Sequence, residues 1–176
     1  MLRTLKRLDV AQAKLFDAVS SADQSFLARR PAENEWSVLE VVHHLCLVQS
    51  GVLAQLKKNA TSSLPPVGFI RSLIPICVVS WRLFKVSAPK TVQPQKDLEN
   101  ELLLANFNDA RKQLKEFCEE YGADGLRKLC FKHPRFGNIN GLAAVDFVGF
   151  HEVRHLKQIQ ETFRKLQRSK QNEPSK

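Results

Sequence analysis

Two histidines, His151 and His155, stand four residues apart in a segment of helical periodicity. Residues at i and i+4 lie on one face of a helix about one turn apart, so two imidazoles at this spacing can bind one metal ion between them. A third imidazole, His44, belongs to a separate helical segment far upstream. Three histidine nitrogens that leave positions open for water or substrate are typical of catalytic metal sites. The sequence therefore predicts a metal site formed by His44, His151 and His155.

His44 is preferred to its neighbour His43 because it lies on the apolar stripe of its segment, three residues after Val41 and four before Val48. His43 is turned about 100° away from that stripe. Burying neutral imidazoles costs free energy unless their nitrogens are satisfied, and a shared ion would satisfy them. We expect one nitrogen of each histidine to lie about 2.0–2.2 Å from a common divalent ion, as for zinc. Nickel and iron also suit imidazole ligands, and the open side is expected to face a cavity at one end of the bundle.

The segment from His151 to His155 also matches H-E-x-x-H, the motif in which a zinc protease uses the glutamate as general base. Such proteases need a third ligand downstream, but no later histidine exists, and Gln158 stands where the extended motif requires glycine. A protease is therefore not favoured. Glu152 is expected to point outward into solvent, with support of a metal ligand as the alternative.

His133 and the four cysteines are expected to have structural roles first of all. His133 precedes Pro134 and is expected at the surface or in loop packing, with a substrate contact at the bundle mouth as the alternative. The cysteines form no C-x-x-C pair, and the N-terminus lacks a secretory apolar region, so reduced thiols in a cytoplasmic protein are expected. These cysteines are Cys46, Cys77, Cys118 and Cys130.

Four long segments must position the histidines, and each shows apolar residues at the helical period. Their expected bounds are Thr4 to Ala28, Ser37 to at least Leu56, about Gln95 to Gly122, and Asn140 to about Gln167. Ser37 with Glu40 forms a capping-box pattern, and Asn140 is a good N-cap. The 176-residue chain therefore predicts an all-α four-helix bundle in residues 1–168, followed by a disordered tail at 169–176.

The connections are expected to be less regular. The apolar run Val67–Phe84 predicts one additional short helix, kinked near Pro75 and too short between its charges to span a membrane. Residues Ser87–Gln95 are expected to be extended, and Ala123–Asn138 irregular.

The net charge of +9, from 27 basic and 18 acidic residues, permits an acidic partner without indicating one. The basic residues are spread along the chain, which favours a solvated surface. A basic nucleic-acid-binding bundle stays open as the weakest alternative.

The order of these motifs resembles the DinB-like (DinB/YfiT-like) superfamily of metal-dependent enzymes. The resemblance rests on Trp36-Ser37, His44-Leu45 and His151-x-x-x-His155-x-x-Gln158-Ile159. The stretches His133–Gly137 and Phe84–Pro89 also resemble members of this group. The likeness extends from the first helix to Ile159.

The resemblance implies a four-helix bundle with a divalent metal held by His44, His151 and His155. Family members are often dimers, and characterised relatives include S-transferases and isomerases that use small thiol cofactors. We therefore expect a bacterial, cytoplasmic, homodimeric enzyme that acts on a small molecule, either a hydrolase or a thiol transferase, without a membrane partner. The alternative is a non-catalytic metal- or ligand-binding bundle. Catalytic residues and residues that bind a thiol are not identified by the sequence.

Overall fold

The computed structural model describes residues 1–61, 89–95, 99–134 and 136–172. In these ranges the regular elements are four long helices, one pair of short strands and two short 3₁₀ helices. The helices are α1 (Leu2–Ser20), α2 (Val38–Ala60), α3 (Asn100–Lys128) and α4 (Gly141–Gln171), and the strands are β1 (Cys130–His133) and β2 (Gly137–Asn140). The expected four-helix bundle is confirmed. The additional helix expected at Val67–Phe84 lies outside the described residues.

Two apolar clusters fill the bundle. The first cluster includes Leu8, Val52, Leu56, Leu114 and Val148, and the second includes Leu15, Val41, Leu45, Phe107 and Ile159. The chain passes from the first cluster to the second along α1 and α4, and from the second to the first along α2 and α3. Thus α1 and α4 run in one direction, and α2 and α3 run in the other. Because α2 and α3 are parallel neighbours, the end of α2 and the start of α3 lie at opposite ends of the bundle.

The starts of α2 and α4 are fixed by the capping residues that the sequence indicates. Ser37 Oγ accepts a hydrogen bond from the Glu40 backbone N–H at 3.2 Å, and the Glu40 carboxylate accepts one from the Ser37 N–H at 2.8 Å. Asn140 Oδ1 accepts from the Ala143 N–H at 2.8 Å. These bonds satisfy N–H groups that a helix terminus leaves without partners, so both helices that carry candidate ligands have defined starts.

Two expected helix ends are wrong. Helix α1 stops at Ser20 rather than near Ala28, because Asp23 begins a separate 3₁₀ turn by accepting the Ser25 N–H at 3.0 Å. Gly122 does interrupt α3 with a φ of 64°, which glycine adopts without steric cost. The helix nevertheless resumes after this kink and ends at Lys128.

The region Ala123–Asn138 is more regular than expected. Strands β1 and β2 pair antiparallel, with His133 opposite Gly137 at the turn. Gly137 has a φ of 68°, which suits glycine at this bend. The hairpin joins α3 to α4 and packs Ile139 and Phe131 into the first apolar cluster. The strands are too short for their alternation to stand out in the sequence. The Lys90–Val92 segment, expected to be extended, forms a 3₁₀ turn.

Among the described residues, one helix, α2, is long and apolar enough to cross a membrane by length and composition alone. The core helix of a bundle meets the same criteria. Eleven residues of α2 are buried within the protein, and it contacts both α3 and α4. Its apolar character is therefore explained by its place in the core.

Helix α4 extends to Gln171 and so passes the domain end expected at residue 168. Residues 169–172 are exposed, and the Lys170 ammonium lies 3.2 Å from the Asp23 carboxylate. Exposed ion pairs contribute about 0–1 kcal/mol.

We predict that truncation after Arg168 lowers the free energy of unfolding by no more than about 1 kcal/mol, measured by urea denaturation. The matched control is Leu166→Ala, which removes a buried side chain of the last turns and should cost about 2–5 kcal/mol. A truncation as costly as this control would contradict the prediction.

Candidate metal centre

Helices α2 and α4 bring the three candidate ligands together. One nitrogen from each of His44, His151 and His155 lies within 4.8 Å of the others. The ring centroids are separated by 5.1 Å for His44 and His151, 4.9 Å for His44 and His155, and 4.5 Å for the α4 pair. Nitrogens around a tetrahedral ion at zinc distances are about 3.4 Å apart, so small rotations of the rings would suffice. The expected convergence of these residues is confirmed.

Two of the rings form a hydrogen bond through Nδ1. His44 Nδ1 lies 2.6 Å from the Val92 carbonyl oxygen, and His155 Nδ1 lies 2.8 Å from the Gln158 amide oxygen. An oxygen of this kind accepts a hydrogen bond, so each Nδ1 carries the proton. Each Nε2 is then unprotonated and has the lone pair that a metal ion requires. Such partners are typical of metal-ligating histidines.

His151 completes the donor set. Its Nε2 is 3.2 Å from His155 Nε2, so these two nitrogens face one another directly. Its Nδ1 is buried and has no hydrogen-bond partner among the described residues. Without an ion, one of these two facing Nε2 atoms must carry a proton and donate it to the other. An ion placed among the three rings would use both lone pairs instead, and the donor set fits a divalent metal of the zinc, nickel or iron type.

The protonation states also suit metal binding. Burial lowers the pKa of His44, although its hydrogen bond to Val92 opposes the shift. Burial lowers the pKa of His151 well below the ordinary value, and the neighbouring histidines lower it further. Both imidazoles are therefore neutral at neutral pH, which is the form that coordinates a metal.

Aromatic rings surround the cluster on two sides. The Trp36 ring centroid is 5.0 Å from that of His44, and the Phe147 centroid is 5.1 Å from that of His151. His133 is buried, and its ring makes an edge contact with Phe147, with centroids 4.5 Å apart. His133 therefore packs in the interior as part of strand β1, rather than at the surface or in a loop as expected.

The site does not lie at an end of the bundle as expected. On α2, His44 lies beside Val41 and Leu45 of the second cluster, and Val52 of the first cluster follows. On α4, the histidine pair lies between Val148 of the first cluster and Ile159 of the second. The site therefore occupies a polar layer between the two apolar clusters.

Glu152 shares this layer, and its expected outward orientation is wrong. Its side chain is 2% exposed and forms an ion pair with Arg111 of α3, which is 3% exposed. Arg111 Nε also donates to the Gln49 side-chain oxygen of α2 at 3.1 Å, and the Gln49 amide donates to the Phe107 carbonyl at 3.0 Å. Burial raises the pKa of Glu152 to about 7 despite the attraction of Arg111. This network links α2, α3 and α4, and no local pattern in the sequence indicates it.

His43 lies outside the cluster, in agreement with its expected orientation. Its Nδ1 accepts a hydrogen bond from the Gln95 backbone N–H at 3.1 Å. Burial lowers the pKa of His43, which favours the neutral ring with an accepting nitrogen.

Fold and site together define a four-helix bundle with a three-histidine cluster that could hold a metal ion. The sequence profile of the DinB superfamily matches residues 7–159. The chain belongs to the DinB superfamily.

Similar proteins include YuaE and two solved structures. The Bacillus subtilis (strain 168) protein YuaE, described as uncharacterised, is 25% identical over 160 residues, which cover 90% of this chain and 96% of YuaE. The crystal structure of TT2238, described as a four-helix bundle protein, has a TM-score of 0.62 at 24% identity and covers 90% of this chain and 97% of that one. YfiT from Bacillus subtilis has a TM-score of 0.66 at 19% identity, with 94% and 86% covered. YfiT is described as a probable metal-dependent hydrolase with an unusual four-helix bundle topology. The two structures show the same fold.

The buried ion pair predicts that removing one partner lowers stability more than replacing both partners does. Removing one partner leaves an uncompensated buried charge, so Glu152→Leu or Arg111→Met alone should lower the free energy of unfolding by about 3–5 kcal/mol. The double variant should recover most of that loss, because an apolar pair of similar size needs no compensation. The measurement is chemical denaturation followed by circular dichroism.

The matched control for this cycle is Asp9→Ala with Lys115→Ala, a more exposed pair 2.7 Å apart, whose removal should cost less than about 1 kcal/mol. If Glu152→Leu or Arg111→Met lowered the free energy of unfolding as little as this control does, the expected penalty for an unpaired buried charge would be contradicted.

Proposed function

We propose that this protein is a metal-dependent enzyme that acts on a small molecule, with hydrolysis as the leading reaction. The single observation that carries the proposal is the convergence of His44, His151 and His155, whose ligand nitrogens lie within 4.8 Å of one another. Hydrogen bonds to Val92 and Gln158 direct the lone pairs of two of these rings to the cluster. Packing alone does not explain three histidines at these positions, because burying an imidazole costs free energy that burying a leucine does not.

The three histidines would hold a divalent ion and leave further positions open to water and substrate. Such an ion supplies Lewis-acid chemistry. The Trp36 and Phe147 rings flank the cluster and limit the access of bulk water. Water exclusion strengthens electrostatic interactions within the site.

Hydrolysis is placed first because YfiT, which has the same fold, is described as a probable metal-dependent hydrolase. Transfer of a small thiol is the second reaction type, since a thiol at such an ion is deprotonated and nucleophilic. The further expectations of a cytoplasmic bacterial homodimer belong to this proposal. A non-catalytic metal-binding bundle and a nucleic-acid-binding bundle remain the alternatives.

Ligand substitution tests the metal site directly. Zn²⁺ should bind the wild-type chain with a stoichiometry of one, measured by competition with a chromophoric chelator. His44→Ala, His151→Ala and His155→Ala should each weaken Zn²⁺ binding by roughly a hundredfold or more, beyond the tenfold to hundredfold loss typical of residues that only support a ligand. Circular dichroism should show that the helices persist. The control His133→Gln changes another nearby histidine and should keep tight binding; loss of metal there and retention in the three alanine variants would refute the site.

Catalysis is tested by comparing the metal-free and metal-loaded protein. Zinc, nickel and iron forms should be screened against ester, amide and phosphate substrates and against thiol addition. Turnover that requires the metal and disappears in the His155→Ala variant is expected. Metal binding without turnover on any class would favour the non-catalytic alternative, and a steep fall of DNA affinity with salt would favour nucleic-acid binding.

The lowered histidine pKa values predict the pH dependence of metal affinity. An imidazole whose pKa is lowered stays unprotonated to lower pH, so protons compete with the ion only below the ordinary range. Since the pKa values of both His44 and His151 are lowered, Zn²⁺ affinity should change by much less than tenfold from about pH 8 to pH 6.5 and fall steeply only at lower pH. A tenfold loss already complete by about pH 6.5 would indicate ordinary, exposed imidazoles. Isothermal titration at a series of pH values measures this.

A further inference from the structure

We infer that His43 is a positioning residue that holds the Val92 carbonyl against His44 and so directs His44 Nε2 to the metal site. The inference rests on the proposed function, because it concerns the orientation of a proposed ligand. His43 itself takes no place in the cluster. It acts through the backbone of the segment formed by residues 89–95, which precedes α3.

The segment 89–95 is attached to α2 at two points by two adjacent side chains. His44 Nδ1 donates to the Val92 carbonyl at 2.6 Å, and the Gln95 backbone N–H donates to His43 Nδ1 at 3.1 Å. Adjacent residues of a helix point about 100° apart, so the two rings contact the segment from different directions. Two attachment points three residues apart fix both the position and the direction of the backbone between them.

Within the described residues, few other hydrogen bonds hold Val92 in place. The Val92 N–H is bonded to the Pro89 carbonyl at 3.1 Å, which closes a local turn but does not attach that turn to the bundle. Pro94 has no N–H to donate. The backbone N–H of Gln95 is therefore the first donor after that of Gln93, and His43 Nδ1 accepts its hydrogen bond. Among the described residues, this bond and the His44 bond are the hydrogen bonds that join the segment to α2.

The orientation of His44 depends on this attachment. With the Val92 carbonyl at Nδ1, the ring keeps its proton there and its lone pair on Nε2, toward His151 and His155. If the carbonyl moves away, the proton can occupy either nitrogen, and the ring can rotate about its side-chain bonds. Orienting partners of this kind are known to set both the tautomer and the affinity of histidine ligands. His43 therefore does not bind the ion, but it orients a residue that would.

Two substitutions of similar shape separate the hydrogen bond from packing. Asparagine places its amide oxygen two bonds from Cβ, as histidine places Nδ1, so His43→Asn retains an acceptor at the same position. Leucine places a methyl group there, so His43→Leu keeps the shape and loses the acceptor. We expect Zn²⁺ affinity to fall by roughly threefold to tenfold in His43→Leu, the effect of one hydrogen bond, and to return to within about twofold of wild type in His43→Asn. The melting temperatures of the two variants should agree.

A second measurement uses the metal-free protein, so that its result does not depend on the proposed function. Long-range ¹H–¹⁵N correlation spectra distinguish a ring that is protonated at Nδ1 from one protonated at Nε2. His44 should be protonated at Nδ1 in the wild type and in His43→Asn, and should become a mixture of tautomers in His43→Leu. Equal His44 tautomers in all three proteins would overturn the inference, as would equal Zn²⁺ affinities. Failure of the wild type to bind Zn²⁺, with the tautomer change still present, would refute the proposed function and leave the positioning role supported.

Discussion

The buried ion pair between Arg111 and Glu152, extended by Gln49, joins α2, α3 and α4 at one level of the bundle. Glu152 immediately follows His151, so the side chain that meets Arg111 and the side chain that faces His44 belong to consecutive positions of α4. If α4 turned or slid by one residue, Glu152 would lose Arg111 and leave two charges buried without partners. That cost is several kcal/mol. The pair therefore selects one rotational setting of α4, and that setting brings His151 and His155 to His44.

The polar layer interrupts an otherwise apolar interior. The first apolar cluster lies on one side of it and the second on the other, and α1 crosses the same level with the small residue Ala11 between Leu8 and Leu15. Hydrophobic burial in both clusters stabilises the bundle, since a fully buried aliphatic side chain contributes about 1.5–3 kcal/mol. The layer itself does not need to add net stability. It determines which residues of the four helices meet, and it contains the groups whose chemistry the bundle can use.

The sequence was sufficient to predict most of what the local pattern determines. The capping residues Ser37 and Asn140 marked true helix starts, and the preference for His44 over His43 followed from the stripe of Val41 and Val48. The i, i+4 spacing placed His151 and His155 together. Each of these inferences depends on residues within about one helical turn of one another, where periodicity is informative.

The inferences that failed depend on contacts between distant segments. Glu152 was assigned to solvent because nothing near it in the sequence shows that Arg111 of another helix is its partner. The depth of the site was misjudged because the direction in which each helix crosses the bundle is not determined by residues within that helix. The role of His43 was missed because its partner is a backbone N–H of Gln95, and a backbone group has no signature in the sequence.

The most direct test is a crystal structure of the protein grown with its bound metal, with diffraction measured on both sides of the metal absorption edge. If the ion is zinc, we expect one strong anomalous peak about 2.0–2.2 Å from a nitrogen of each of His44, His151 and His155. The Val92 and Gln158 oxygens should still accept from the Nδ1 atoms of His44 and His155. A peak bound by other residues, or no peak at the cluster in protein shown to contain one metal ion per chain, would contradict metal binding by these three histidines.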